Sequence, residues 1–213
     1  MLKVCEIFLS IQGESSYSGL PCIFIRLSGC NLNCEWCDSR YHLDIQNEMT
    51  IAEIVEIIAE YKPVELVEIT GGEPLLQEDT GKLIDTLTEI GYQVLLETNG
   101  SLPISQLSPH VINIIDVKCP SSGHADSFLR ENIIYLDPEK DEIKFVIADR
   151  KDYDFAQEFI MYNNLWSYKI LFSTVFGRLQ PQELVNWIIE DRLAVRFQLQ
   201  MHKYIWDPEK RGV

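Results

Sequence analysis

Seven short runs rich in Val, Ile, Leu and Phe recur along this 213-residue chain, at Cys22–Leu27, Leu66–Ile69, Gln93–Leu96, Val111–Val117, Glu142–Ile147, Lys169–Phe172 and Ala194–Leu199. Runs of that length and composition suit parallel strands covered on both faces. The stretches between them carry helical patterns. Thr50 and Glu53 make a capping box ahead of Ile54, Ile57 and Ile58. A second helix runs from about Thr80 through Leu83, Leu87 and Ile90 to Gly91. A third carries Phe155 and Phe159 four apart, and a fourth starts at Pro181 with Leu184, Val185 and Ile188. Such alternation predicts an α/β fold on a mostly parallel sheet. About six core parallel strands fall short of the eight in a closed barrel, so the expectation is a partial, open (β/α) barrel forming one domain over residues 1–213.

In folds of this kind the reacting groups sit where strands end. Polar motifs stand at four predicted strand ends. Gly29-Cys30-Asn31-Leu32-Asn33-Cys34-Glu35-Trp36-Cys37-Asp38 follows Leu27, Thr70-Gly71-Gly72-Glu73-Pro74 follows Ile69, Glu97-Thr98-Asn99-Gly100 follows Leu96, and Lys118 follows Val117. The cysteine spacing, C-x3-C-x2-C, places three soft ligands together, and thiolates suit iron–sulfur clusters. Three cysteines leave one iron of a four-iron cube without a protein ligand, and an open position marks a site that binds a reactant. A second reading of the same residues is a Cys3His zinc site, because His42 follows Cys37 after four residues. A closed zinc module does not require the other three strand-end motifs.

Charge and cysteine usage narrow the rest. The chain has 18 basic and 33 acidic residues, a net charge of −15, and no Lys/Arg cluster. A nucleic acid partner requires a basic stripe and is not expected. No apolar stretch of membrane-spanning length and no signal peptide is apparent. The clustered cysteines suit a reducing cytoplasm. Cys5, Cys22 and Cys119 are read as small packed side chains.

Two glycines at 71 and 72 let backbone approach a ligand, and their carbonyls with the Glu73 carboxylate suit an ammonium group. The alternative is a plain turn. Glu97 at a strand end suits a ribose hydroxyl, and the alternative for its turn is a solvated hairpin-like loop. Arg26 inside an apolar strand requires a partner, since an unpaired buried charge is costly. Gln12 and Glu14 read equally as loop residues, and His202 alone reads as a packed histidine.

The cysteine run and the Gly-Gly-Glu turn resemble the signatures of the radical S-adenosylmethionine superfamily. Further motifs sharpen this: Ile11-Gln12-Gly13-Glu14, Phe24-Ile25-Arg26-Leu27-Ser28-Gly29-Cys30, Cys37-Asp38-Ser39, Pro120-Ser121-Ser122-Gly123, Gln200-Met201-His202-Lys203 and Lys210-Arg211-Gly212-Val213. Together they resemble the 7-carboxy-7-deazaguanine synthase family over nearly the whole chain. The resemblance implies the superfamily's open barrel and a homodimer converting 6-carboxy-5,6,7,8-tetrahydropterin to 7-carboxy-7-deazaguanine with loss of ammonia, in queuosine and 7-deazapurine biosynthesis. It implies a [4Fe–4S] cluster on Cys30, Cys34 and Cys37 and S-adenosylmethionine at Gly71, Gly72, Glu73, Glu97 and Lys118. Gln12, Glu14, Arg26 and His202 would bind the pterin, and Ser39, where many members have Thr, would bind Mg²⁺. Lys118 departs from the serine-proline-lysine run of several relatives but keeps the lysine. A reductant such as flavodoxin or ferredoxin is implied, and no side chain is assigned a catalytic role beyond cluster and cofactor. The rival readings are a glycyl-radical-enzyme activase, which has similar cysteines but docks a protein, and a zinc-stabilised binding module.

Overall fold

The computed structural model describes residues 1–43 and 47–213. Among them, nine strands form one sheet: β1 (Leu2–Ile11), β2 (Pro21–Leu27), β3 (Asn47–Met49), β4 (Leu66–Gly71), β5 (Gln93–Thr98), β6 (Ile112–Asp116), β7 (Glu142–Ile147), β8 (Lys169–Thr174) and β9 (Arg196–Phe197). Their order is β3-β1-β2-β4-β5-β6-β7-β8-β9, so the sheet does not close on itself. From β2 to β9 every neighbouring pair is parallel. All seven apolar runs therefore become strands, although the last contributes only the two residues of β9. The sequence reading missed β1 and β3, which pair antiparallel on the opposite edge. β1 carries Lys3, Glu6 and Ser10, and a bulge between Val4 and Glu6 breaks its alternation, so no period-2 pattern shows.

The helices are α1 (Ile51–Ala59), α2 (Thr80–Glu89), α3 (Arg150–Tyr162), α4 (Pro181–Glu190) and the single turn α5 (His202–Ile205). Thr50 and Glu53 form the expected capping box of α1. α2 ends as expected at Gly91, with Gly91 N–H on Thr88 C=O at 3.1 Å and Tyr92 N–H on Leu87 C=O at 3.0 Å, the bond pattern of a Schellman motif. Asp149 caps α3 through the Asp152 N–H.

Side chains on the strands alternate between two environments. Ile23, Ile25, Leu27, Val67, Ile69, Val94 and Leu96 face α1 and α2. Ile115, Ile143, Phe145, Ile147, Ile170 and Phe172 face α3 and α4. The residues between them point into the barrel. In the second layer, Phe145 is fully buried and meets Phe159 and Phe172 edge-on at centroid distances of 5.7 and 5.6 Å. We expect Phe145→Ala to lower unfolding free energy by about 3–5 kcal/mol in equilibrium urea denaturation, through lost burial and a residual cavity. A loss below about 1 kcal/mol would show that this layer collapses without cost.

Candidate active site

The barrel interior is built in layers that follow from the two-residue period of its strands. At the bottom, Cys22, Phe24, Leu66, Leu95, Ile112 and Ile114 form a dry cluster, and Phe8 stacks on Phe24 with centroids 5.1 Å apart. Two residues further along those strands stand Arg26, Glu68, Glu97 and Asp116, and Lys144 joins them from β7 opposite Asp116. Above this charged layer opens a cavity of about 620 Å³ at the C-terminal ends of the strands. All three clustered cysteines line it, as do Arg26, Glu68, Glu97, Asp116, Lys118 and Lys144.

Lys144 is the hub of the charged layer. Its side chain is 4% exposed, and its ammonium contacts Glu97, lies 2.9 Å from Glu14 Oε2 and 3.7 Å from Asp116 Oδ2. Burial disfavours its charge, but Glu14, Glu97 and Asp116 outweigh this and hold its pKa well above the lysine range. Glu14 shows the converse. Burial pushes its carboxyl up, while Lys144, His202 and a bond from Gln200 at 3.0 Å bring it below the ordinary range. Glu68, with no ion pair among the described contacts, is pushed well above the carboxylate range by burial and by Glu97. It accepts a hydrogen bond from the Gln12 amide.

The cysteine loop leaves β2 and is pinned from several sides. Arg40 bonds the Cys34 and Glu35 carbonyls, each at 2.9 Å. The Glu35 N–H donates to Ser122 C=O at 3.1 Å, and Trp36 Nε1–H donates to Ser121 Oγ at 3.0 Å. Buried Asp152 holds that neighbouring loop through the Ser121 N–H at 2.8 Å. The glycine turn packs directly on the cysteine loop. A Cβ on Gly72 would collide with the Gly29 carbonyl and stand 2.7 Å from Cys30 Cβ, so this position must be glycine. Burial raises the Cys34 thiol; Lys118 opposes this and Asp116 adds to it. Three soft donors lining one mouth are the donor set that suits a cluster held by three cysteines.

The structure brings most of the sequence candidates together around the cavity. Gln12, Glu14, Arg26, Ser39, Gly71, Gly72, Glu97, Lys118 and His202 line it. Glu73 does not. Its carboxylate is fully buried and accepts from the Leu75 and Asn99 N–H groups at 2.9 and 2.8 Å and from the Thr98 hydroxyl. It ties the glycine turn to the loop after β5. Lys118 pairs with Asp116 at 2.9 Å and sits 5.6 Å from the Trp36 ring centroid. Burial opposes its charge, yet Asp116 and the Cys34 thiol raise its pKa. His202 packs so tightly on Gly13 that a Cβ there would overlap its Nδ1. Burial lowers the His202 pKa, leaving a neutral ring at pH 7. His42 lies buried in the 3-10 turn Arg40–Leu43, with its Cε1 against Gly72.

Several residues of this site escaped the sequence reading: Glu68, Asp116 and Lys144 inside apolar strands, and Lys203, whose ammonium pairs with Asp38. The argument applied to Arg26, a charge within a buried strand, applies equally to the first three. Lys203 and Asp38 are 165 residues apart, and no local signal joins them.

This arrangement, an open parallel barrel with three thiols at its C-terminal mouth, is that of a radical S-adenosylmethionine protein, and residues 24–116 match the Radical SAM superfamily profile. The chain is 46% identical over the full length of both chains to 7-carboxy-7-deazaguanine synthase of Koribacter versatilis. It is 45% identical to the same enzyme of Chlorobaculum tepidum, covering 100% of this chain and 97% of that one. The crystal structure of QueE from Escherichia coli superposes with a TM-score of 0.80 over 94% of each chain, at 21% identity, and so shares the fold. The chain belongs to the 7-carboxy-7-deazaguanine synthase family. Membership of the superfamily implies a [4Fe–4S] cluster and S-adenosylmethionine. These relatives do not favour the activase or the zinc module.

Glu68 generates a pH prediction. Its folded-state pKa lies above the unfolded one, so between the two the folded chain binds more protons and stability falls as pH rises. Glu68→Gln removes that loss. The Tm advantage of Glu68→Gln over the parent should therefore grow from about pH 4.5 upward, read by thermal denaturation at a series of pH values. A difference that stays level with pH would contradict the assignment.

Proposed function

We infer that this chain converts 6-carboxy-5,6,7,8-tetrahydropterin to 7-carboxy-7-deazaguanine with loss of ammonia, as a single domain and as one half of a homodimer. The observation that carries this is the meeting of three cysteine thiols and the Arg26 guanidinium on one cavity, in a chain 46% identical to a 7-carboxy-7-deazaguanine synthase over its full length. Cys30, Cys34 and Cys37 hold the cluster; Gly71, Gly72, Glu97 and Lys118 meet S-adenosylmethionine, with Glu73 shaping that wall from behind. Bound there, cluster and cofactor would supply one-electron chemistry at the cavity mouth.

The protein's own part is to bind, orient and exclude water. Arg26 takes the substrate carboxylate, because a guanidinium offers a planar fork that matches it. Gln12 gives one amide hydrogen to Glu68 and keeps a second donor for the pterin. Glu14, held ionised by Lys144, accepts from pterin N–H groups. Neutral His202 can donate through one ring nitrogen and accept through the other. Ser39 would supply a hard oxygen to Mg²⁺, and the ion would add positive charge beside the substrate carboxylate. Asp38 is already committed to Lys203, which favours the hydroxyl as the metal ligand. A reductant such as flavodoxin or ferredoxin supplies electrons, and the setting is the cytoplasm; among the described residues no helix is long and apolar enough to cross a membrane.

Anaerobic reconstitution followed by incubation with S-adenosylmethionine, a reductant and the carboxypterin tests this reading, with the deazapurine measured as product. Cys30→Ala, Cys34→Ala and Cys37→Ala should each lose the brown chromophore and all turnover, while His42→Ala keeps the chromophore. A colourless, zinc-loaded parent after reconstitution would sink the proposal. For the metal, Ser39→Ala should abolish stimulation by Mg²⁺ and Ser39→Thr should retain it. An unchanged Mg²⁺ dependence in Ser39→Ala would remove Ser39 from the site.

A further inference from the structure

The bulge in β1 has a chemical consequence. Val4 pairs with Leu27, but Glu6 pairs with Arg26, so Cys5 is the extra residue. Without it, Cys5 would stand opposite Arg26 and Glu6 opposite Ile25, on the face covered by helices. Side chains directly opposite across a ladder share a face, so the bulge is what turns Glu6 toward Arg26. Leu2 and Val4 stay in the helix-facing core before the bulge, Ile7 packs on that core after it, and Phe8 joins the barrel interior.

Glu6 Oε1 accepts the Arg26 Nε–H at 2.8 Å and the Tyr41 hydroxyl at 2.8 Å. The guanidinium carbon lies 5.8 Å from the Tyr41 ring centroid. The pair is mostly buried, with side chains 18% and 20% exposed. Arg26 and Tyr41 line the cavity, whereas Glu6 is not among its lining residues. Glu6 thus reaches the cavity only through them. A guanidinium held at Nε keeps its two terminal nitrogens, the edge that a carboxylate fits.

We propose that Glu6, delivered by the bulge at Cys5, is a positioning residue that fixes the Arg26 guanidinium and thereby selects substrates bearing a carboxylate. This rests on the reading of Arg26 as the carboxylate-binding residue. A second acid beside the anion site lowers the net attraction for small anions in general. What remains is a preference for a planar partner that satisfies both terminal nitrogens.

The test uses the reconstituted enzyme, with iron content and Tm recorded for each variant. Glu6→Ala should raise KM and Kd for the carboxypterin about tenfold, with kcat changed less than about threefold. Binding of tetrahydropterin lacking the carboxyl group should not change. Glu6→Gln retains an oxygen acceptor for the Nε–H and should bring KM back to within about threefold of the parent. In an Arg26→Ala background, Glu6→Ala should add less than about twofold, because residues acting as one unit are not additive. Should Glu6→Ala fail to fold, Glu6→Asp carries the test: it keeps the charge but withdraws the acceptor, and KM should rise at least about fivefold. The proposal is overturned by unchanged affinity in the variant used, by equal weakening in Glu6→Ala and Glu6→Gln, by equal loss for the probe without a carboxyl group, or by additivity with Arg26→Ala. Arg26→Ala with unchanged carboxypterin affinity would remove the reading of Arg26 itself. An Arg26 effect without a Glu6 effect removes only the positioning role.

Discussion

One buried ammonium group joins the separate parts of this barrel. Lys144 sits on β7 and reaches Glu97 on β5, Asp116 on β6 and Glu14 in the loop after β1. Removing a lysine and three carboxylates from water costs several kcal/mol per ion, and only close pairing recovers it. The pairing also has directional consequences. It brings the loop holding Gln12 and Glu14 over the barrel mouth, and it meets Asp116, which lies near Cys34. Asp116 in turn holds Lys118 next to the Cys34 thiol. A chain with a net charge of −15 thus spends few of its cations inside, at points where each contacts more than one element.

The layers divide the work. The apolar floor excludes water and keeps the strands in register. In and beside the charged layer, Lys144 holds the Glu14 carboxyl below its ordinary range against burial, while burial raises the Glu68 carboxyl and lowers the His202 ring. The rim carries the thiols, pinned by Arg40, Ser121 and Ser122 from neighbouring loops. A polar, pre-ordered pocket of this kind suits a charged small molecule.

Much of this was legible in the sequence, for a physical reason. Parallel strands are covered on both faces, so they read as continuous apolar runs, and all seven were found. The cysteine loop and the glycine turn were legible because both follow strand ends, where this fold gathers its chemistry. β1 was not, since the extra residue at Cys5 shifts its alternation by one and mixes Glu6 and Ser10 among Ile7, Phe8 and Leu9. β3 has three residues and exists only through pairing with β1. The motif around Glu73 marked the right loop, but not that the carboxylate turns inward to Asn99 and Thr98. Glu68, Asp116 and Lys144 were visible as charges in apolar strands. Which of them meet depends on register between strands far apart in the chain, and that is a property of the folded sheet.

If the account is correct, the stability that Lys144 contributes is electrostatic and depends on pH. Without it, Glu14 loses the cation that holds its buried carboxyl below the ordinary range, and burial then favours protonation. The direct measurement is the Tm deficit of Lys144→Met relative to the parent from pH 8 to pH 5. The deficit should be largest at pH 8 and shrink steadily as falling pH neutralises the stranded Glu14 carboxylate. A deficit of constant size across that range would mean that Lys144 contributes only packing, and would contradict the charged layer as the organising feature of this site.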